Sequence, residues 1–283
     1  MPADPVRLPP VSTTAVGVAA IRAAESRQPE PWFVDPLAPA LVDAAQTFWT
    51  VDRDAPPDRR RVNALIFWVR VRTRFLDEIV LDACRRGCRQ FVVLGAGLDA
   101  RAFRLPLPSD ARCFEVDLPD VLEFKERVVR DNGFTPAGER LVVPTDLSAD
   151  WAGDVERAGF DQRVPTTWLA EGLLAYLTEE TRDAVVNGAS VRSIPGSRFG
   201  LTLASADRRS ARRRDPDAMP SEPGDYIDLW QSDAPVDVEA WLGGRGWSAA
   251  VANAVDRAAA YGLTVPTARE PRALARLVDA TRR

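Results

Sequence analysis

An α/β fold, a mostly parallel sheet with helices on both faces, is predicted by three observations. From about residue 89 onward, short apolar runs take turns with helical stretches. The first run ends in a glycine turn, Gly95-Ala96-Gly97, and the second ends in Asp117, twenty residues beyond Gly97. Ahead of both, residues 1–88 read as helical, so a helical N-terminal cap precedes the sheet.

The elements follow in order. Thr13 or Thr14 caps a first helix through Val18, Ala19, Ile21 and Ala24, which Pro29 and Pro31 end. A short second helix starts near Pro36. From Asp58 to about Arg86, Val62, Leu65, Ile66, Val69, Phe75, Leu76, Ile79 and Val80 fall mostly three and four residues apart, the pattern of a long amphipathic helix. On it, Arg70 and Arg74 lie one turn apart and Arg72 lies on a different face. Residues 90–94 form a buried strand, 112–116 a second, and Pro119 opens a helix through Val129. Further strands are expected at 141–143, 166–170 and 199–203, with helices at about 149–158 and 178–192. Between 205 and 235 periodicity is lost. Five arginines (Arg208, Arg209, Arg212, Arg213, Arg214) precede a stretch rich in proline and aspartate, the texture of a loop-rich lid or insertion. Alternation then returns with a helix near 238–242, a strand at 247–251 and a terminal helix over 271–281.

Composition excludes several chemistries. The 283 residues contain no histidine, which removes Ser-His-Asp and Cys-His relays and histidine-ligated metals. Three cysteines, Cys84, Cys88 and Cys113, are too few for a four-cysteine metal site or a disulfide framework, and no metal is expected. A net charge of −4 argues against nucleic acid as a partner. No apolar run approaches the roughly 18 residues of a membrane span, and the first ten residues lack the apolar run of a signal peptide, so a cytoplasmic protein is expected. Of 37 basic residues only Lys125 is a lysine, a skew that resembles the codon usage of a GC-rich genome.

The glycine turn lets the chain reverse sharply and lets a ligand approach where a Cβ would collide. An acid at the tip of the neighbouring strand is placed to accept bonds from both ribose hydroxyls, so the pair points to an adenosine-containing cofactor. This pairing alone does not separate NAD from S-adenosylmethionine, and the spelling satisfies the dinucleotide fingerprint with alanine in the third glycine place. Two features disfavour NAD: the long helical stretch before the turn, and Asp99, Arg101 and Arg104, which crowd the place where a diphosphate meets a helix N-terminus. Asp99 would repel a diphosphate but not an ammonium or sulfonium group.

The run FVVLGAGLDARAFRL at 91–105 resembles the signature of the leucine carboxyl methyltransferase-like family of S-adenosylmethionine-dependent O-methyltransferases, which includes a large bacterial branch. The likeness continues in VAAIRAAE at 18–25, RTRFLD at 72–77, FEVDLP at 114–119, TDL at 145–147 and WLAEGLLAYL at 168–177, and spans residues 14 to 266. It implies a class I methyltransferase, Rossmann-like, with S-adenosyl-L-methionine as cofactor. On this basis 1–283 is one domain: a cap at 1–88, a cofactor-binding core at 89–204, a lid at 205–235, and 236–283 as the C-terminal completion of the sheet and helix.

The resemblance also implies roles. Gly95 and Gly97 would line the methionine portion, Asp117 would bind the ribose, and Asp146 with Leu147 would flank the adenine. Glu171 would face the cofactor's amino-acid end and Arg72 would pair with its carboxylate, with Arg70 a rival in register. Ala100 departs from the family's frequent threonine. Each residue also has a plainer reading. Asp117 and Asp146 could cap the segments that follow them, Glu171 could be a strand-end acid, and Arg72 part of a solvated salt-bridge face.

Methyl transfer is mainly a positioning task. Any general base must come from Asp, Glu, Tyr or Cys; Glu171 and Tyr176 are the candidates, and Tyr226 and Trp230 in the lid could touch an acceptor. An acceptor carboxylate is already ionised at neutral pH and needs no base, so carboxyl methylation of a small metabolite is expected first and hydroxyl methylation second. The alternatives are an NAD-dependent reductase and a cofactor-binding scaffold without turnover.

Overall fold

In the computed structural model of the chain, the residues described are 10–46, 59–203, 229–263 and 276–283. Three helices come first: α1 (Pro10–Glu25), α2 (Ala38–Ala45) and α3 (Arg59–Arg85). The core then runs β1 (Gln90–Leu94), α4 (Arg101–Arg104), β2 (Arg112–Asp117), α5 (Pro119–Asp131), β3 (Glu139–Pro144), α6 (Trp151–Arg157), β4 (Thr166–Ala170), a 3-10 turn at Leu174–Tyr176, α7 (Glu179–Val191) and β5 (Arg198–Leu203). It ends with α8 (Val238–Gly243), β6 (Trp247–Asn253), α9 (Ala254–Ala260) and β7 (Arg276–Arg282).

The strands form one seven-stranded sheet in the order β3-β2-β1-β4-β5-β7-β6. β1 to β5 are parallel, and β7 runs antiparallel between β5 and β6. Successive side chains of a strand point to opposite faces, and β1 supplies both. Val92 and Leu94 join one apolar cluster with Trp151 and Val155 of α6 and Val185, Val186 and Ala189 of α7. Phe91 and Val93 join a second with Phe67, Phe75, Leu76 and Ile79 of α3. Burial of both faces explains why β1 and β4 read as continuous apolar runs rather than alternating ones.

A third cluster positions the site. Val16 and Ala19 of α1 and Leu37 and Leu41 of α2 pack with Leu98 and Ala100 of the loop after β1 and with Val121, Leu122 and Phe124 of α5. Arg22 of α1 adds polar contacts, donating through Nε to Asp35 Oδ2 at 2.8 Å and through Nη2 to the Leu98 carbonyl at 2.5 Å. The helical cap therefore grips the glycine loop directly.

Several elements differ from expectation. Helix α1 begins at Pro10, upstream of Thr13 and Thr14, with proline in the first turn where its missing N–H costs nothing. The expected terminal helix over 271–281 is corrected: residues 276–282 form β7, and 271–275 lie outside the described residues. Leucine, alanine and arginine favour a helix locally, but the backbone pairs on both sides with β5 and β6, burying Leu277, Val278 and Ala280. Long-range pairing outweighs a helix propensity of a few tenths of a kcal/mol per residue. Helices α4 and α9 were not read from the sequence; both are short. The expected lid lies mostly at 204–228, outside the described residues, and Tyr226 with it.

The single lysine is an internal residue. Lys125 Nζ donates to Glu115 Oε2 at 2.6 Å with neither side chain exposed beyond 1%, and Arg140 donates to the same oxygen at 2.7 Å. This buried triad pins α5 and β3 to β2 two residues below Asp117.

Candidate functional site

The strand order reverses between β1 and β4, so connections leave these neighbours in opposite directions and open a crevice at their carboxyl ends. Gly95, Gly97, Asp117, Asp146 and Glu171 all lie at or just beyond the carboxyl ends of adjacent parallel strands. With about 4.8 Å between strands, the tips of β2 and β4 stand roughly 10 Å apart across β1.

The glycine turn is built as its chemistry demands. Gly95 and Gly97 have φ of 62° and 47°, in the left-handed region. An added Cβ on Gly95 would fall 2.6 Å from Leu173 Cδ1, so the turn packs against the chain leaving β4. The Gly97 N–H donates to Asp117 Oδ2 at 2.6 Å, and the Leu118 N–H donates to Asp117 Oδ1 at 2.7 Å.

Asp117 has an unusual electrostatic setting. The buried acids Glu25, Asp35, Asp77 and Glu115 each pair with an arginine or lysine. Asp117 has no ion-pair partner among the described residues; it accepts two hydrogen bonds from backbone N–H groups. Burial pushes its carboxyl above the ordinary aspartate range, against the pull of the Gly97 and Leu118 amides. Its capping bond to Leu118 is real, so that plainer reading holds in part. A carboxylate offers about four lone-pair sites, however, and two remain.

Across β1 the charge is concentrated. Arg72 Nε donates to Glu171 Oε1 at 2.9 Å and Arg101 Nη2 donates to Oε2 at 2.7 Å. Burial raises the Glu171 carboxyl, but Arg101 and Arg72 outweigh it and hold it below the ordinary range. A carboxylate held ionised in this way is a poor proton acceptor, which removes much of the case for Glu171 as a general base. Arg72 is thus not on a solvated face: it reaches the tip of β4. Its rival Arg70 turns the other way, 2.6 Å from Glu25 and 4.9 Å from the ring of Trp32. Arg74 shares that face, also 4.9 Å from Trp32.

Asp99 changes part of the argument against a dinucleotide. Its Oδ1 accepts from the Arg101 backbone N–H at 2.6 Å and its Oδ2 from the Arg101 guanidinium. The acid stays ionised but its charge is balanced by Arg101, so simple repulsion of a diphosphate is the wrong reason. The better one is that α4 is four residues long and Asp99 already occupies an N–H of its first turn, the group a diphosphate would use. Although burial works against it, Arg101, Lys125 and Arg104 hold the Asp99 carboxyl at about 2. A folded-state pKa below the ordinary 3.8 contributes stability above pH 4 that is lost as pH falls through about 2. Acid melts should therefore show Asp99→Asn losing about 2 kcal/mol less stability than the parent between pH 5 and pH 2. Equal losses would contradict this.

The remaining expected residues are less drawn together. Asp146 is exposed, and its Oδ1 accepts from the Ser148 N–H and Oγ, both at 2.8 Å, so the plain turn role is realised. The Thr145 N–H bonds to the Asp117 carbonyl at 2.8 Å, which keeps the Asp146 loop beside the tip of β2. Leu147 is 8% exposed and packs in the core, which leaves its backbone rather than its side chain to meet a ligand. Tyr176 ends the 3-10 turn after β4; its carbonyl accepts from Gln231 Nε2 at 2.8 Å, and the Gln231 N–H donates to Ala175 O at 2.7 Å. Half-buried Trp230 is thereby carried to the same edge as Tyr176. Trp247 is core, bonded to Ser190 Oγ at 2.8 Å.

Arg101 is the residue that sequence reasoning missed. The arginine was visible, but its contacts with residues 77, 99 and 171 depend on tertiary placement. Among the described residues no cluster of three potential metal-ligating side chains occurs, and no helix is long and apolar enough to cross a membrane.

Comparison with known proteins agrees with this architecture. Residues 15–190 match the model of the leucine carboxyl methyltransferase family. A Streptomyces coelicolor protein provisionally named as an S-adenosyl-L-methionine-dependent methyltransferase is 42% identical over 260 residues, 91% of this chain and 90% of that one. A Mycobacterium avium protein with the same provisional name is 37% identical over 280 residues, 90% and 89% of the two chains. Among solved structures, a DUF574 family protein from Streptomyces avermitilis shares the fold with a TM-score of 0.56 at 15% identity, covering 94% of this chain and 97% of that one. Magnesium protoporphyrin IX methyltransferase from Synechocystis, solved with bound S-adenosylhomocysteine, has a TM-score of 0.50 at 11% identity over 81% and 90%. The fold is that of the class I methyltransferases.

Proposed function

Because the chain belongs to the leucine carboxyl methyltransferase family, we propose that it is an S-adenosyl-L-methionine-dependent methyltransferase whose acceptor is an oxygen, most directly the carboxylate, of a small molecule. The observation that carries the cofactor reading is Asp117, a carboxylate kept at the tip of β2 against the cost of its burial, with no ion-pair partner among the described residues and the Gly97 turn under it. A pair of ribose hydroxyls would supply the donors it lacks. On the other side of β1, the Arg72–Glu171 pair offers both charges to a zwitterionic amino-acid end. S-adenosylmethionine, when bound, supplies a methyl group already activated on a sulfonium.

The chain's own residues then have few proton-transfer duties. There is no histidine, and Glu171 and Asp99 are held ionised by arginines. Such a site suits a nucleophile that arrives already ionised, and at neutral pH that is a carboxylate. Gly95, Gly97 and the α1–α2 cap orient and enclose; Tyr176 and Trp230 edge the acceptor side, and Tyr226 is assigned there from sequence alone.

The test is the chemistry of the product. With methyl-labelled cofactor and a panel of carboxylic acids and phenols, the expected label is lost as methanol in mild base, as a methyl ester requires. The rate at subsaturating acceptor should stay flat between pH 6 and pH 9, whereas a phenol of pKa about 10 would gain about tenfold per pH unit. A base-stable product with a rising pH profile would transfer the reading to hydroxyl methylation.

A further inference from the structure

We infer that Arg101 is a positioning residue of this site: held by Asp77 and Asp99, its guanidinium fixes the orientation of the Glu171 carboxylate toward the cofactor's amino-acid end. The inference rests on the proposed cofactor reading and adds a residue to it.

The geometry is specific to a guanidinium. Arg101 Nε donates to Asp77 Oδ1 at 2.9 Å, Nη1 to Asp99 Oδ2, and Nη2 to Glu171 Oε2 at 2.7 Å. Three acceptors on α3, the glycine loop and the tip of β4 thus fix the plane of one rigid fork. Arg72 alone, bonded to Oε1, would leave the carboxylate free to swing about that contact. A second donor on the other oxygen fixes its plane, and each oxygen keeps a lone pair for a further donor. With a side chain 3% exposed, Arg101 acts through Glu171 rather than by touching a ligand.

Arg104 provides an internal comparison. It is buried in the same network with its side chain 4% exposed, yet its bonds run to both oxygens of Asp77, at 2.6 Å each, and among the described residues it makes none to Glu171. Loss of either arginine takes away one of the two cations paired with Asp77. Only loss of Arg101 releases Glu171.

The test is calorimetric titration of S-adenosylmethionine and S-adenosylhomocysteine into the parent, Arg101→Lys, Arg104→Lys, Glu171→Gln and the Arg101→Lys/Glu171→Gln double variant, with the Tm of each. Arg101→Lys should raise Kd at least tenfold, while Arg104→Lys lowers Tm comparably and leaves Kd within twofold. In the Glu171→Gln background, Arg101→Lys should change Kd less than twofold, because the group it orients is already altered. An Arg101→Lys Kd within twofold of the parent, or an equal rise in Arg104→Lys, would overturn the inference. Should Arg101→Lys fail to fold, Asp99→Asn serves: freeing one tine of the fork should raise Kd at least threefold, and an unchanged Kd overturns the assignment. A parent that binds neither ligand would instead overturn the cofactor reading beneath it.

Discussion

Replacing Asp117 by alanine is expected to weaken S-adenosylmethionine binding by at least about 100-fold, because two hydrogen bonds to a charged acceptor, each worth about 1.5–3 kcal/mol, are lost. The alanine also releases the Gly97 N–H, so part of the loss would come from loosening the turn. Asp117→Asn separates the two effects. It keeps the shape and one acceptor, and should weaken binding about tenfold. Its effect on stability has the opposite sign from that of a paired acid. Burial raises the Asp117 pKa, so above that pKa the ionised form costs stability rather than supplying it. Removing the charge offsets the lost backbone bond, and Tm should stay within about 3 °C of the parent. A carboxylate whose neutral substitute folds as well but binds worse is present for its ligand. A marked drop in Tm with unchanged affinity would return Asp117 to a capping role.

Replacing Arg101 by methionine should have the largest effect on stability. Asp77, Asp99 and Glu171 converge on it, with side chains 9%, 11% and 12% exposed. Without it these charges share only Arg72 and Arg104 as ion-pair partners among the described residues. Stranding buried carboxylates in this way costs about 3–5 kcal/mol, which corresponds to a Tm roughly 10 °C lower. The chain contains its own control: Arg157, paired with Asp154 and 65% exposed, should tolerate the same substitution without measurable change. Equal effects at the two positions would show that burial of the network is not what stabilises it. Lysine at 101 retains a cation for at least one carboxylate and should cost less, which is why it serves the binding comparison.

Local patterning carried much of this fold. Residues 90–94 and 166–170 were legible because strands covered on both faces read as unbroken apolar runs. Helical spacing also separated Arg72 from Arg70 and Arg74: two residues turn a helix by about 200°, which sends Arg72 to the sheet and the other two to Trp32. β7 was not legible because its strand character comes from neighbours almost eighty residues earlier in the chain, such as Gly200 opposite Asp279. Arg101 was hidden for a similar reason. One arginine of many gives no local sign that three acids from distant segments will meet at its head group. The capping alternatives at Asp117 and Asp146 proved compatible with ligand roles, since one carboxylate can hold a turn and still accept further donors.

The absence of histidine and the arginine clamps point the same way, to a site that holds charges fixed rather than moving protons. The placement that follows from the proposed function is one adenosyl cofactor across the tips of β2, β1 and β4. A crystal structure with S-adenosylhomocysteine tests it most directly. Ribose hydroxyls are expected on the Asp117 carboxylate and the amino-acid end at Glu171 and Arg72, with the Gly97 turn between them. A ligand bound away from these strand ends, or lying with its ribose at Glu171, would contradict it.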